Sequence, residues 1–103
     1  MERVRVVMVD TLPIPGTDGF ETFGGARINV YTTELSEDGA HAIAAREVAE
    51  AGWHVQSVEG SFLLARADLA EAPEGLQYFE QALLDGIVLV IHAWRRGDED
   101  AVH

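Results

Sequence analysis

The stretch Ala51-Gly52-Trp53-His54-Val55-Gln56-Ser57-Val58 decides the predicted fold, because it joins the end of a helix directly to a strand. The same junction recurs at Asp85-Gly86, which leads into the apolar run Ile87–Ile91. Each glycine stands where one residue must take a left-handed conformation, which glycine adopts without steric cost. Two junctions of this kind predict a domain that mixes helices with strands.

Two further segments show the alternation of a β-strand. Arg3–Val9 alternates and is rich in valine, and Arg27–Thr33 alternates after it. Beyond the strand that starts at Trp53, the pair Glu59-Gly60 has the composition of a two-residue hairpin turn. This turn would return the chain through Ser61–Ala67 as a separate strand.

The two helices have recognisable starts. Ser36 is a good N-cap residue, the acidic residues that follow it suit the first turn of a helix, and Ala40–Ala51 is rich in alanine. Pro73 suits the first position of a second helix, and Glu74–Leu84 carries an apolar stripe.

Residues 26–95 therefore read strand, helix, strand, strand, helix, strand, which is the β-α-β-β-α-β order of the ferredoxin-like fold. That α+β fold places four antiparallel strands in the order 4-1-3-2, with both helices on one face. Both neighbours of Arg27–Thr33 are then occupied, so Arg3–Val9 is predicted to be an additional edge strand. Asp10–Gly25, rich in proline and glycine, is predicted to be a long loop. We expect one domain composed of an N-terminal strand and loop (1–25), a ferredoxin-like core (26–95) and an acidic tail (96–103).

The composition excludes several classes of partner and site. The chain has 18 acidic and seven basic residues, a formal net charge of -11, which repels nucleic acid and anionic membranes. It has no cysteine, which excludes disulfides and thiolate metal sites. The longest apolar run, Ile87–Ile91, is too short to span a membrane, and no secretory signal is recognisable. We therefore expect a cytoplasmic protein.

Strand alternation predicts which side chains face away from the two helices. On that open face we expect one belt formed by Asn29, His54, Ala65, His92 and Trp94. The predicted ligand-binding residues are Asn29, Tyr31, His54, Gln56, His92 and Trp94. His54 and His92 would be three strand spacings apart, roughly 14 Å, too far to share a metal ion or a proton. We therefore predict no metal site and no cofactor.

Apolar residues are predicted on the same open face. Val58, Leu63, Val88 and Val90 would form an exposed patch there, and such patches usually mark protein interfaces. The sequence therefore predicts a homodimer that forms through the open face of the sheet.

The segment from Ser36-Glu37-Asp38-Gly39 through the helix to Glu50–Val58 resembles the first half of an ACT regulatory domain. Domains of that family place an acidic residue and a glycine before the helix and an Ala-Gly step after it. The resemblance implies a ferredoxin-like fold and amino-acid binding at a dimer interface, near Asp38 and Gly39. The proline that usually precedes the glycine is absent here.

Two functions are compatible with these observations. The first is a small non-catalytic homodimeric domain that binds a small molecule or a partner protein, since the sequence contains no specific catalytic motif. The alternative is a small cofactor-independent enzyme of the dimeric α+β barrel type, in which His54 or His92 would act as the acid–base group. In that enzyme, Asn29 or Gln56 would polarise a substrate carbonyl, and Tyr31 and Trp94 would line an apolar pocket.

Overall fold

The computed structural model describes residues 2–97, which form a four-stranded antiparallel sheet and two α-helices. In chain order the elements are β1 (Arg3–Pro13), β2 (Phe23–Thr32), α1 (Glu37–Glu50), β3 (Trp53–Ala65), a short 3-10 helix (Arg66–Leu69), α2 (Pro73–Asp85) and β4 (Ile87–Arg95). Most of the predicted acidic tail, residues 98–103, lies outside the described residues. Within residues 2–97, neither helix is long and apolar enough to cross a bilayer.

The predicted helix boundaries are confirmed. The Ser36 hydroxyl accepts a hydrogen bond from the Gly39 N–H at 3.1 Å and caps α1. Pro73 is the first residue of α2. Gly52 and Gly86 have φ angles of 96° and 85°, so both junctions use the left-handed conformation that the sequence predicts.

The N-terminal strand is central, and its prediction as an edge strand is wrong. β1 pairs with β2 through partners such as Arg5 and Thr32, and on its other side it pairs with β3. The valines of β1 explain this position, because those on both faces of the strand are at most 2% exposed: Val4, Val6, Val7 and Val9. A strand buried on both faces belongs in the middle of a sheet. The predicted loop is correspondingly shorter, covering residues 14–22.

The predicted hairpin turn at Glu59-Gly60 is also wrong, because β3 continues through it from Trp53 to Ala65. The pairing of β3 with β1 shifts register twice, between Met8 and Val9 and between Asp10 and Thr11. Each shift places one extra residue in β3, so the 13 residues of β3 span the 11 residues of β1. The residues predicted to reverse the chain thus form part of a bulged, continuous strand.

These two differences change the topology. The strand order is β3-β1-β2-β4 instead of the ferredoxin-like order, and β1 occupies the central position that was predicted for Ser61–Ala67. The predicted pairing of the last strand with Arg27–Thr33 is confirmed, since Ile28 lies opposite Ile91. The chain is therefore an α+β domain whose strand order differs from the predicted ferredoxin-like one.

The two helices lie on opposite faces of the sheet, which corrects the prediction that they share one face. Val7 and Val9 of β1 belong to the core cluster of α1, together with Ala44 and Val48. Val4, of opposite parity, belongs to the cluster of α2 with Phe79, and Tyr31 packs against that cluster. Successive strand residues point to opposite faces. We call the α1 side face A and the α2 side face B.

Helix α2 runs across the sheet, whereas α1 runs along it. β3 ends and β4 begins at the same end of the sheet, because Ala65 pairs with Arg3 and Ile87 pairs with Thr32. The connecting helix therefore starts and finishes at that end. Its 13 residues span about 20 Å, enough to cover three strand spacings of about 4.8 Å. As a result, α2 covers only one end of face B.

Candidate functional site

The end of face B that α2 leaves uncovered is the candidate site, and we call it the bare half of face B. It comprises Met8, Asp10, Leu12, Gly25, Arg27, Asn29, His54, Ser57, Gly60, Val90, His92 and Trp94. Apart from Gly25, none of these residues is buried, whereas Val9 and Ile28, on the opposite face of the same strands, are at most 1% exposed. One half of a four-stranded sheet is thus open to contact from outside.

An ion pair lies at the centre of the bare half. The Arg27 guanidinium donates to both carboxylate oxygens of Asp10, through Nε to Oδ1 and through Nη2 to Oδ2 at 3.3 Å. This pairing holds the pKa of Asp10 below its usual range, and a hydrogen bond from the Glu59 carboxyl group acts in the same direction. The β1 and β3 side of the bare half is therefore acidic. Its β2 and β4 side carries the Arg27 guanidinium, and His92 lies opposite Arg27 on β4.

The Trp94 indole lies over the backbone of β2. A Cβ atom on Gly25 would come within 2.6 Å of Trp94 Cζ2 and 2.9 Å of the Thr11 carbonyl oxygen. Only glycine therefore leaves room for the ring at this position. The ring is consequently fixed against the sheet, at the end of the bare half farthest from α2.

Two polar atoms on the bare half are buried without a hydrogen-bond partner among residues 2–97: Asn29 Oδ1 and Trp94 Nε1. Leaving such a group unpaired costs about 1–3 kcal/mol. A third buried atom of this kind, His41 Nε2, belongs to α1 on the other side of the sheet. Unpaired buried polar groups are rare in native proteins, so two of them on the bare half support its choice as the candidate site.

The structure brings together four of the six residues predicted to bind a ligand. Asn29, His54, His92 and Trp94 all lie on the bare half. His54 and His92 occupy the two edge strands with β1 and β2 between them, in agreement with the predicted separation.

The other two predicted ligand-binding residues and the predicted belt residue Ala65 lie elsewhere. Tyr31 is covered by α2, where its ring packs against that of Tyr78 at 5.7 Å. Burial raises the pKa of Tyr31, and Tyr78 adds to that shift. Gln56 occupies the second bulge of β3, and Ala65 lies at the opposite end of that strand.

The predicted apolar patch is divided between three places. Val58 and Leu63 lie on face A, opposite Val9 and Arg5, because the bulge at Glu59 changes the parity of β3. Val88 packs against the α2 cluster. Of the predicted patch, only Val90 remains on the bare half, where the other large aliphatic side chains, Met8 and Leu12, lie on β1.

Sequence reasoning missed Asp10, Arg27 and Leu12. Asp10 and Leu12 were assigned to the predicted loop, and Arg27 was assigned to a strand but not to the site. A signal was present, since Asp10 is the one acidic residue of β1 and Arg27 is the one charged residue of β2. Opposite charges directly across neighbouring strands stabilise their pairing.

The four cavities described in the structure lie away from the predicted site residues. The largest has a volume of about 530 Å³ and lies between the 3-10 helix and α2. It is lined by Glu2, Ala65, Arg66, Ala67, Ala70 and Leu76. Arg66 at its rim is already paired with Glu2 and Glu80. Among residues 2–97, no group of three or more histidine and acidic side chains is arranged to hold a metal ion.

The ACT-like segment lies apart from the bare half. Asp38 and Gly39 are in the first turn of α1, on the other side of the sheet, and the Gly39 N–H is engaged by the Ser36 cap. No protein-family model matches the chain, and no curated protein or solved structure matches it.

Proposed function

We propose that this chain is a small non-catalytic homodimeric interaction domain whose two copies bind through the bare half of face B. The observation that carries the proposal is the path of α2. Because this helix crosses the sheet at one end, it leaves Met8, Leu12 and Val90 without a covering layer. An antiparallel sheet face that carries large apolar residues is stabilised when a second layer covers it.

The charges of the bare half suit a second copy of the same surface. A twofold axis parallel to the strands, midway between two facing sheets, places the β1 side of one copy over the β2 side of the other. Asp10 and Glu59 of each copy then face Arg27 and His92 of the other. This arrangement lets two chains of the same strong negative charge meet without local repulsion.

The size of the bare half sets the expected affinity. It is four strands wide and about five residues long, or roughly 19 by 17 Å. Two such surfaces together cover about 650 Å², which is below the size of stable protein interfaces and in the range of weak or transient contacts. We therefore expect a dimer that dissociates in the micromolar range, which would allow exchange of partners or binding of a small molecule between the sheets.

The test compares two substitutions that introduce the same charge at different places. Leu12→Asp alters the bare half, where Leu12 is 38% exposed, and Leu84→Asp alters α2 outside it, where Leu84 is 81% exposed. Sedimentation velocity over a concentration series should show the same reversible association for the wild type and Leu84→Asp, and weaker association for Leu12→Asp, which loses the face-to-face contact. A monomeric wild type at high micromolar concentration, or equal dissociation of both variants, would contradict the proposal.

A further inference from the structure

The two edges of the sheet are protected very differently. β3 has two bulges and carries Glu59, and both features discourage pairing with another strand. β4 pairs regularly with β2 from Ile87 to Trp94 and has no charged residue, proline or glycine in that range. β4 is therefore an unprotected edge nine residues long.

The outward-facing backbone groups of β4 can be assigned from the ladder. Thr33 N–H donates to the Gly86 carbonyl at 3.1 Å, so this pair is a hydrogen-bonded one. Hydrogen-bonded and non-hydrogen-bonded pairs alternate along an antiparallel ladder. The N–H and C=O groups of Ile87, Leu89, Ile91 and Ala93 consequently point away from β2, toward the free edge.

We propose that β4 pairs with β4 of a second copy in antiparallel register, with Ile91 on the twofold axis. This interface goes beyond the face-to-face dimer, and it joins two sheets into one continuous sheet of eight strands. Ile91 is the midpoint of Ile87–Arg95, and its backbone groups face the edge, so this register pairs the whole strand.

The side chains of β4 suit this register. Ile91 is 43% exposed and would meet Ile91 of the second copy. Leu89 would lie opposite Ala93 of the second copy on the same face. Uncharged residues along most of the strand permit close approach of two chains that are otherwise strongly acidic.

Charge complementarity supports the two ends of the paired strands. Arg95 is exposed and forms no ion pair among residues 2–97. In the proposed register, Arg95 lies opposite Ile87 of the second copy, two residues from Asp85 at the end of α2. Each end of the interface thus places an arginine opposite a residue that is two positions from a carboxylate of the other chain.

A single introduced cysteine tests the register, because the natural chain has none. Two residues on the twofold axis of a hydrogen-bonded pair have Cα atoms about 5.5 Å apart, within the range of a disulfide. Ile91→Cys should therefore form a covalent dimer in a glutathione redox buffer. Ala93→Cys is the matched control, since its symmetry mate would be about 14 Å away along the strand.

The same pair of variants should be made in the Leu12→Asp background, so that failure of this inference can be distinguished from failure of the face-to-face dimer. Ile91 is on face A, so a face-to-face dimer alone would not bring its two copies together. Cross-linking through Ile91→Cys in both backgrounds, at least tenfold faster than through Ala93→Cys, is the expected result. Equal rates for the two variants, or no cross-linking through Ile91→Cys, would overturn the proposal.

A second pair of substitutions provides an independent readout by sedimentation. Ile91→Lys places two cations against each other on the axis, although it lowers the net negative charge of each chain. Ile91→Thr keeps a β-branched, uncharged residue there. In the Leu12→Asp background, self-association should be lost with lysine and retained with threonine, and loss of neither or of both would count against edge pairing.

Discussion

The Trp94 indole occupies the space that a side chain on Gly25 would need, with Trp94 Cζ2 only 2.6 Å from the position of a Gly25 Cβ. This contact joins β4 to β2 at the end of the sheet farthest from α2. It also shows why an aromatic residue predicted to line a pocket is instead packed against the sheet itself.

Gly25→Ala should destabilise the fold by about 1–3 kcal/mol, because the new methyl group would overlap both the indole and the Thr11 backbone oxygen. Gly60→Ala, in β3, is the matched control. Its new methyl would meet only the Met8 Cε atom, at 3.5 Å, and should change stability little. Urea unfolding monitored by tryptophan fluorescence measures both, and equal effects would show that the indole does not lie on Gly25.

Asn29→Leu should raise the free energy of unfolding by about 1 kcal/mol, since it removes the unpaired buried Oδ1 and keeps a similar volume. Asn29→Asp, which places a charge at the same position, should lower it. Chemical denaturation at a concentration where the protein is monomeric measures these effects. Lower stability for Asn29→Leu would mean that the Asn29 amide forms a hydrogen bond that is not seen among residues 2–97.

Asp10→Asn should lower stability at neutral pH by less than about 1 kcal/mol, because both partners of the Asp10–Arg27 pair are partly exposed. The folded pKa of Asp10 lies below its unfolded value of about 3.9. The contribution is therefore complete above pH 3.9 and is lost as the pH falls through the folded pKa. The difference between wild type and Asp10→Asn should shrink between about pH 5 and pH 2. The exposed Glu71→Gln variant is the control for charge removal alone, and a difference that grows on acidification would contradict the assignment.

Phe79→Ala should cost about 3–5 kcal/mol, because Phe79 is fully buried and anchors α2 to face B. Leu84→Ala, on the same helix but 81% exposed, should change stability by less than about 0.5 kcal/mol. Thermal and urea unfolding measure both variants. A small effect at Phe79 would show that α2 is not held against this face.

The melting temperature should rise with sodium chloride. Eleven excess negative charges repel one another, and the screening length falls from about 30 Å at 0.01 M to about 3 Å at 1 M. Potassium fluoride at equal ionic strength serves as a control for specific effects of chloride. A flat or falling melting temperature would show that the acidic residues are spaced or paired well enough to cancel this repulsion.

Local sequence determined most of the secondary structure, because its causes are local. The residues that start and end the helices act within one turn of the chain. Ser36 caps α1, Pro73 begins α2, and Gly52 and Gly86 take the left-handed conformation, as predicted. Strand alternation also placed Asn29, His92 and Trp94 on one face correctly, since that parity requires only the neighbouring residues.

The tertiary structure decided the strand order and the extent of the site. Val6 and Val7 in succession indicate a strand buried on both faces, but its neighbours depend on contacts between distant segments. The sequence did not predict the bulges of β3, because a bulge is defined by the pairing of a strand with its neighbour, here β1. The bare half of face B exists because β3 ends and β4 begins at the same end of the sheet, so that α2 must cross it. No local pattern carries that information, since it arises from the order in which the strands pair.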